Sequence, residues 1–263
     1  MSDRLSFPVH ATIRVPERLV LAGGGWRRID LAVRFGIFER PGHGPVLVDA
    51  GWPVARHGDG MAARLYRLLL RARCDPAQSP LAALRARGHG PGDVAAILLS
   101  HLHADHLGAL PDFPGVPILA PRAALHRARA APLRALRHGV LPALLPDPTH
   151  VQDFGHDIHL PHDLGRGSDV LGDGSVLSVP LPGHADGHTG FLFPRLDPPV
   201  LYAADTQWLL PAIAANRPPR GPARLVHDAP HRVAESLARV DGFRRAGGRV
   251  VLCHDPGPAG PFP

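Results

Sequence analysis

Between Ser100 and Gly108 the chain reads Ser-His-Leu-His-Ala-Asp-His-Leu-Gly, with metal-capable side chains at 101, 103, 105 and 106. No other stretch constrains the fold as strongly. A helix brings together residues three and four apart and cannot aim all of these groups at one point. An extended segment can point His101 and His103 to the same side, and Asp105 and His106 then fall where the chain turns into the next helix. The preceding apolar run, Asp93 to Ser100 (DVAAILLS), has strand length and supplies a rigid base. Imidazole with carboxylate suits zinc, iron, manganese or cobalt, and the absence of cysteine from the stretch argues against a structural zinc finger. The remaining ligands must come from elsewhere. Candidates stand at the ends of predicted strands: His184 in LPGHADGHTG, Asp205 after VLYAA, and His254 after VVLC. His188 follows His184 closely and is read as a residue behind the ligands rather than one of them.

The rest of the chain is heavily punctuated, with 31 prolines and 29 glycines, so its elements should be short. Strands are expected at Leu31–Phe38, Val46–Asp49, Val116–Leu119, within Gly172–Pro180, at Gly190–Phe193, Val200–Ala203 and Arg249–Cys253. Helices are expected over Gly60–Arg73, over Ser79–Arg87 with Ser79 as N-cap and Gly88 as stop, from Leu119 through Ala131, and over Ala229–Ala246. The Gly60–Arg73 helix has a leucine stripe and an arginine face; such a face suits a membrane surface, but an ordinary surface helix is the commoner case. Pro132 to Arg166, rich in proline and histidine, is read as an irregular surface excursion and a candidate lid, with His150, His156, His159 and His162 as ordinary exposed loop residues. Strands and helices alternate, yet several strands come close together, which suggests a layered α/β sandwich rather than a plain doubly wound sheet.

Composition narrows the class. Hydrophobic residues make up 44% and charged residues 20%, a folding composition. No apolar run approaches the roughly 20 residues that span a bilayer, and Met1 to His10 shows no secretory leader. The two cysteines, Cys74 and Cys253, are too few for a disulfide framework. Cys253 is read as a small buried strand residue. These features favour a soluble cytoplasmic chain of one domain, 1–263. The net charge is +6, all the positive charge being arginine, but the arginines are spread out and suggest a solvated surface rather than a nucleic-acid site. The expected partner is a small-molecule substrate, with no nucleic acid and no membrane.

His101-Leu102-His103-Ala104-Asp105-His106 resembles the HxHxDH signature of the metallo-β-lactamase superfamily. The resemblance continues in order through Asp49-Ala50-Gly51, the histidine motif, Pro182-Gly183-His184, Asp205 and His254, and so covers most of the chain. It implies an α/β fold, a four-layer αββα sandwich with a metal site at one edge. It also implies two divalent metal ions, zinc first, with iron or manganese as alternatives. In the family pattern His101, His103 and His184 bind the first metal, Asp105, His106 and His254 the second, and Asp205 bridges them. Asp49 matches the aspartate that supports the site by hydrogen bonds without binding metal. The chain is most similar to the N-acyl-homoserine-lactone lactonase group. Those lactonases carry a tyrosine three residues after the bridging aspartate, where this chain has Trp208, a candidate pocket residue.

The expected function is a dinuclear metal-dependent hydrolase that attacks an ester, lactone or related carbonyl with a metal-bridging hydroxide, Asp105 orienting it and passing a proton on. Two other activities share the fold. A mononuclear iron oxygenase of the persulfide dioxygenase kind leaves the second metal position empty, against which the Asp105–His106 pair and His254 argue. A β-lactam hydrolase is not separable by the motif alone. A non-catalytic binding module on a retired enzyme fold would have lost ligands, and none is missing here. Specificity is expected in the loops around Pro132–Arg166 and Asn216–His227.

Overall fold

The computed structural model describes residues 2–55, 60–215, 217 and 227–262. The 216–227 loop therefore lies largely outside the described residues. The first half of the chain runs β1 (Arg4–Ser6), β2 (Val9–Pro16), β3 (Arg28–Arg34), β4 (Gly36–Glu39), β5 (Val46–Val48), α1 (Met61–Leu70), β6 (Arg73–Cys74), α2 (Pro80–Arg85), β7 (Ala96–Leu98), α3 (Ala104–Leu107), β8 (Ile118–Leu119), α4 (Arg122–Ala130), α5 (Pro132–Arg137) and β9 (Val151–Gln152). The second half runs β10 (Asp157–His159), β11 (Arg166–Asp169), β12 (Leu177–Pro180), β13 (Thr189–Phe193), β14 (Val200–Tyr202), α6 (Leu210–Ala214), α7 (Val233–Arg245) and β15 (Arg249–Val251).

Each half makes one six-stranded sheet, ordered β1-β4-β5-β7-β8-β9 and β10-β11-β12-β13-β14-β15, and a small third sheet is ordered β3-β2-β6. Strand alternation builds the layers. Val46 and Val48 on β5, Leu98 on β7, Phe191 and Phe193 on β13 and Tyr202 on β14 meet in one core between the two large sheets. The intervening Leu47 and Ile97 face outward onto Leu84 of α2 and Leu125 of α4. Leu192 and Leu201 face the other way, onto Leu237, Val240 and Phe243 of α7. The order helix, sheet, sheet, helix is the four-layer αββα sandwich expected from the motif pattern. Ser79 caps α2, accepting from the Ala82 N–H at 3.3 Å, a cap worth roughly 1 kcal/mol. No described helix is long and apolar enough to cross a membrane.

Two expectations need correction. Leu31–Phe38 is not one strand. It divides at Phe35 into β3, which pairs with β2 in the small sheet, and β4, which pairs with β1 and β5 in the first large sheet. Gly36 permits the crossing, because a Cβ there would lie 2.9 Å from both Phe7 and Val48. Pro132–Arg166 is not an irregular excursion either. It contains α5, the edge strand β9 of the first sheet and the edge strand β10 of the second, and so forms the crossover between the halves. Strands of two and three residues are too short to show a period. His150, His156, His159 and His162 are all exposed there.

Candidate metal centre

The chemistry-bearing side chains all follow the C-terminal ends of strands. Asp49 comes directly after β5, and His101 and His103 follow β7 in extended backbone, His103 at φ −67° and ψ 152°. Gly108 lies so close to the Trp52 backbone that a Cβ would come within 2.2 Å, which pins the single-turn helix α3 against the turn after Asp49. Asp105 and His106 sit on that helix. His184 follows β12, Asp205 follows β14 and His254 follows β15. The first sheet thus supplies His101 to His106, the second supplies His184, Asp205 and His254, and the Thr189 N–H donates to the Ser100 carbonyl at 2.9 Å across the join.

All these residues are buried, and the geometry brings them together. His101, His103, His184 and Asp205 form one group and His106, Asp205, Cys253 and His254 a second, with ligand atoms in each within 4.8 Å of one another. Asp205 belongs to both. His184 Nε2 is 3.3 Å and His254 Nε2 3.0 Å from its Oδ2, and His106 Nε2 is 3.5 Å from its Oδ1. Asp105 stands at the rim, its Oδ2 3.5 Å from His254 Nε2.

The donor set fits divalent cations. The Nε2 atoms of His101, His103 and His106 and Oδ1 of Asp205 are buried without a hydrogen-bond partner, a costly arrangement unless something fills the space between them. Two of the rings have their far side committed elsewhere. His106 Nδ1 donates to Asp49 Oδ2 at 2.7 Å and His254 Nδ1 donates to the Ala32 carbonyl at 2.6 Å. These bonds turn the Nε2 lone pairs toward the centre.

Electrostatics agree. Burial above all holds His101 well below the usual imidazole value and brings His103 and His184 to about 3, so these rings are neutral. Burial also opposes charge on His254, but Asp205 lifts it to about 10; Asp49 likewise carries His106 well above the ordinary value. Asp205 is held well below the carboxylate range by His254 and His106, against the burial that opposes it. Positive charge is favoured where the second group converges.

Around this set lie residues of three kinds. Asp49 accepts from the Ser100 N–H and Oγ–H and from the Tyr202 hydroxyl, each at 2.8 Å, and from His106. His188 stands behind Asp205, its Nδ1 donating to the Leu181 carbonyl at 2.8 Å and its Nε2 accepting from the Asp205 N–H at 3.2 Å. The Tyr66 hydroxyl donates to Asp105 Oδ1 at 3.3 Å while its ring stacks on Trp52, centroids 5.1 Å apart. Trp208 stands edge-on to His254, ring centroids 5.5 Å apart, with its indole N–H buried and unpartnered. Tyr66 and Trp208 line a cavity of about 310 Å³ that opens onto His103, Asp105, His184, Asp205 and His254. Its other walls are Ile13, Val15, Leu19, Val20, Leu31, Leu70 and Gly139.

Sequence reasoning missed Tyr66, Tyr202 and the place of Cys253. The chain has only two tyrosines, and both hydrogen-bond a carboxylate of this site. Neither lies in a local motif, so nothing in the sequence marks them. Cys253 is buried in the inter-sheet core as expected, yet its sulfur also stands within the second group; adjacency to His254 at a strand end was the available signal.

Comparison with known proteins follows the same lines. The N-acyl homoserine lactonase AttM of Azorhizobium caulinodans is 28% identical over 252 residues, covering 93% of this chain and 82% of that protein. A probable metallo-hydrolase of Mycobacterium tuberculosis is 32% identical over 157 residues, 55% of this chain and 47% of that one. Among solved structures, an N-acyl homoserine lactone hydrolase with the product N-hexanoyl-L-homoserine at its catalytic metal centre superposes with a TM-score of 0.70 at 19% identity, covering 97% of this chain and 95% of that one. The dizinc lactonase AidC superposes with a TM-score of 0.65 at 15% identity, covering 97% and 88%. Residues 33–245 match the model of one family, and the chain belongs to it: the metallo-beta-lactamase superfamily.

Proposed function

We propose that this chain, read as one domain over 1–263, is a dinuclear metal-dependent hydrolase of uncharged lactones or esters with an apolar tail. The unpartnered Nε2 atoms of His101, His103 and His106, gathered around Asp205, carry this reading. His101, His103 and His184 would hold one cation, Asp105, His106 and His254 the other, with Asp205 between them; zinc is the metal proposed, and the donor set also suits iron or manganese. Two divalent cations at such a site supply Lewis acidity and lower the pKa of a coordinated water toward neutrality. The chain's own residues do the rest. Asp49 fixes the His106 ring. Asp105, at the cavity face, orients the attacking water and takes its proton. Tyr66 steadies Asp105 by donating to its Oδ1, and Trp208 walls the cavity beside His254.

The cavity argues for the substrate class. Beyond the ligands, none of its described walls carries a charge. A β-lactam bears a carboxylate beside its reacting carbonyl, and beyond the metal ligands no described wall offers that carboxylate an arginine partner. The names of the relatives point the same way, toward lactones. The second ligand group is intact, which argues against the mononuclear oxygenase.

Elemental mass spectrometry on protein purified without chelator or histidine tag tests the proposal. About two zinc ions per chain are expected, with turnover of a lactone and ester panel and none of β-lactams. Asp105→Ala and His106→Ala should each remove about one equivalent and lower kcat at least a hundredfold. A single iron per chain, or unchanged turnover in both variants, would overturn the two-metal mechanism.

A further inference from the structure

Helix α1 is apolar on two sides. Inward, Ala63 is buried and Tyr66 and Leu70 reach the cavity wall. Outward, Met61, Leu65, Leu68 and Leu69 are 76%, 50%, 64% and 70% exposed. Their spacing places them in one stripe along the helix. A surface helix of a monomeric protein ordinarily turns polar side chains this way, and a row of bare leucines marks an interaction face. Next to it, the β2–β3 turn leaves Trp26 74% exposed, with the Arg18 guanidinium 4.0 Å above its ring. Leu19 in the same turn and Leu70 of α1 line the same cavity, so the two elements rim one mouth.

The charge around this rim is basic. Arg64 and Arg71 are exposed and make no ion pair among the described residues. Among the described residues, Asp30 is shared by Arg14 at 3.8 Å and Arg73 at 3.3 Å, and Glu17 is held by Arg27 at 3.4 Å. Leucine, methionine and tryptophan flanked by uncompensated arginine is what an anionic bilayer surface recognises. The apolar side chains enter the headgroup boundary and the guanidiniums meet phosphates. A second copy of the chain packed on the same stripe would set Arg64 and Arg71 against their own counterparts.

We propose that α1 and the β2–β3 turn form a docking surface for anionic lipid bilayers, seating the mouth of the cavity at the membrane face. The sequence alone favours a plain surface helix here; the bare leucine row and its place beside the cavity support docking. An apolar-tailed substrate concentrates in the bilayer, so docking would deliver it along the surface. The binding step itself requires neither metal nor turnover, so it stands or falls separately from the hydrolase reading.

Sedimentation with vesicles tests this, using phosphatidylcholine alone and phosphatidylcholine with phosphatidylglycerol in equal parts. The intact chain should sediment with the mixed vesicles, stay in solution with phosphatidylcholine, and be released as salt rises. The double variant Leu65→Glu/Leu68→Glu should lose binding while keeping its metal content, melting profile and turnover of a short soluble ester. Arg64→Glu/Arg71→Glu should weaken binding by roughly fivefold or more per arginine. Arg232→Glu/Arg245→Glu, around α7 on the outer face of the second sheet, makes the same change in net charge and should leave binding nearly unchanged. Absence of vesicle binding, or equal losses in the two arginine pairs, would overturn the proposal. So would a dimer in analytical ultracentrifugation that the leucine variant dissociates, which would give the face to a second copy.

Discussion

Asp49 adopts φ 59°, in the left-handed region that side chains other than glycine avoid. Ala204, directly before Asp205, is at φ 44°. Such conformations cost on the order of 1–3 kcal/mol and persist where surrounding contacts over-determine them. At Asp49 those contacts are the donors from Ser100, Tyr202 and His106. Asn at this position would retain one acceptor oxygen and turn an NH₂ group against donors. We expect Asp49→Asn to leave the fold in place and weaken metal retention by roughly 10–100-fold, read by competition with a chelator. At this scale the sequence was most legible where donors crowd together. His101 to His106 declare themselves because strand and turn geometry acts over a few residues. Tyr66 and Tyr202 reach the site from a helix and a strand whose local patterns signal only packing, so their hydroxyls emerge only once the layers are assembled.

Elements position the site through a few tight approaches. Gly183 is at φ 132°, and a Cβ there would lie 2.8 Å from the backbone nitrogen and Cγ2 of Val233, at the start of α7. The Ala229 N–H donates to the Gly183 carbonyl and the Asp228 N–H to that of His184, each at 3.1 Å. Gly183→Ala should therefore push the His184 turn off α7, cost roughly 2 kcal/mol or more in a urea melt, and lower metal content. A variant that melts and binds metal like the parent would show that this approach does not set the histidine. Element legibility followed local signals rather than length. The helix capped by Ser79 and the strands bearing Val46–Val48 and Val200–Tyr202 were readable, because apolar runs and caps are local signals. The division at Phe35 was not, because one continuous apolar run serves two sheets and the choice between them is made by partners distant in sequence.

The whole molecule couples proton uptake to folding. His103 and His184 are held to about 3 and His188 to about 4, in each case by burial first. Unfolded, these rings take up protons near about 6.5 while the folded protein does not. Stability of the metal-free protein should therefore fall as pH drops below that value. His254, at about 10, works in the other direction: its contribution is complete below about 6.5 and is lost as pH rises toward 10. After chelation, the urea midpoint should peak near about pH 6.5 and decline on both sides, and a flat profile from about pH 5 to 8.5 would show that these burials do not govern stability. The layered sandwich was legible from strand spacing and motif order, whereas the third sheet, made from β2, β3 and the two-residue β6, was not. The two large sheets end in turns that carry Asp49, His101, His184, Asp205 and His254, while the strands behind them carry packing and, at Tyr202, one hydrogen bond to Asp49. Inheritance can thus edit the two parts separately. Turns beyond the ligands, and the cavity walls contributed by the small sheet and α1, are free to be exchanged by grafting or recombination, with the central strands serving as an unchanged chassis for new substrate preferences.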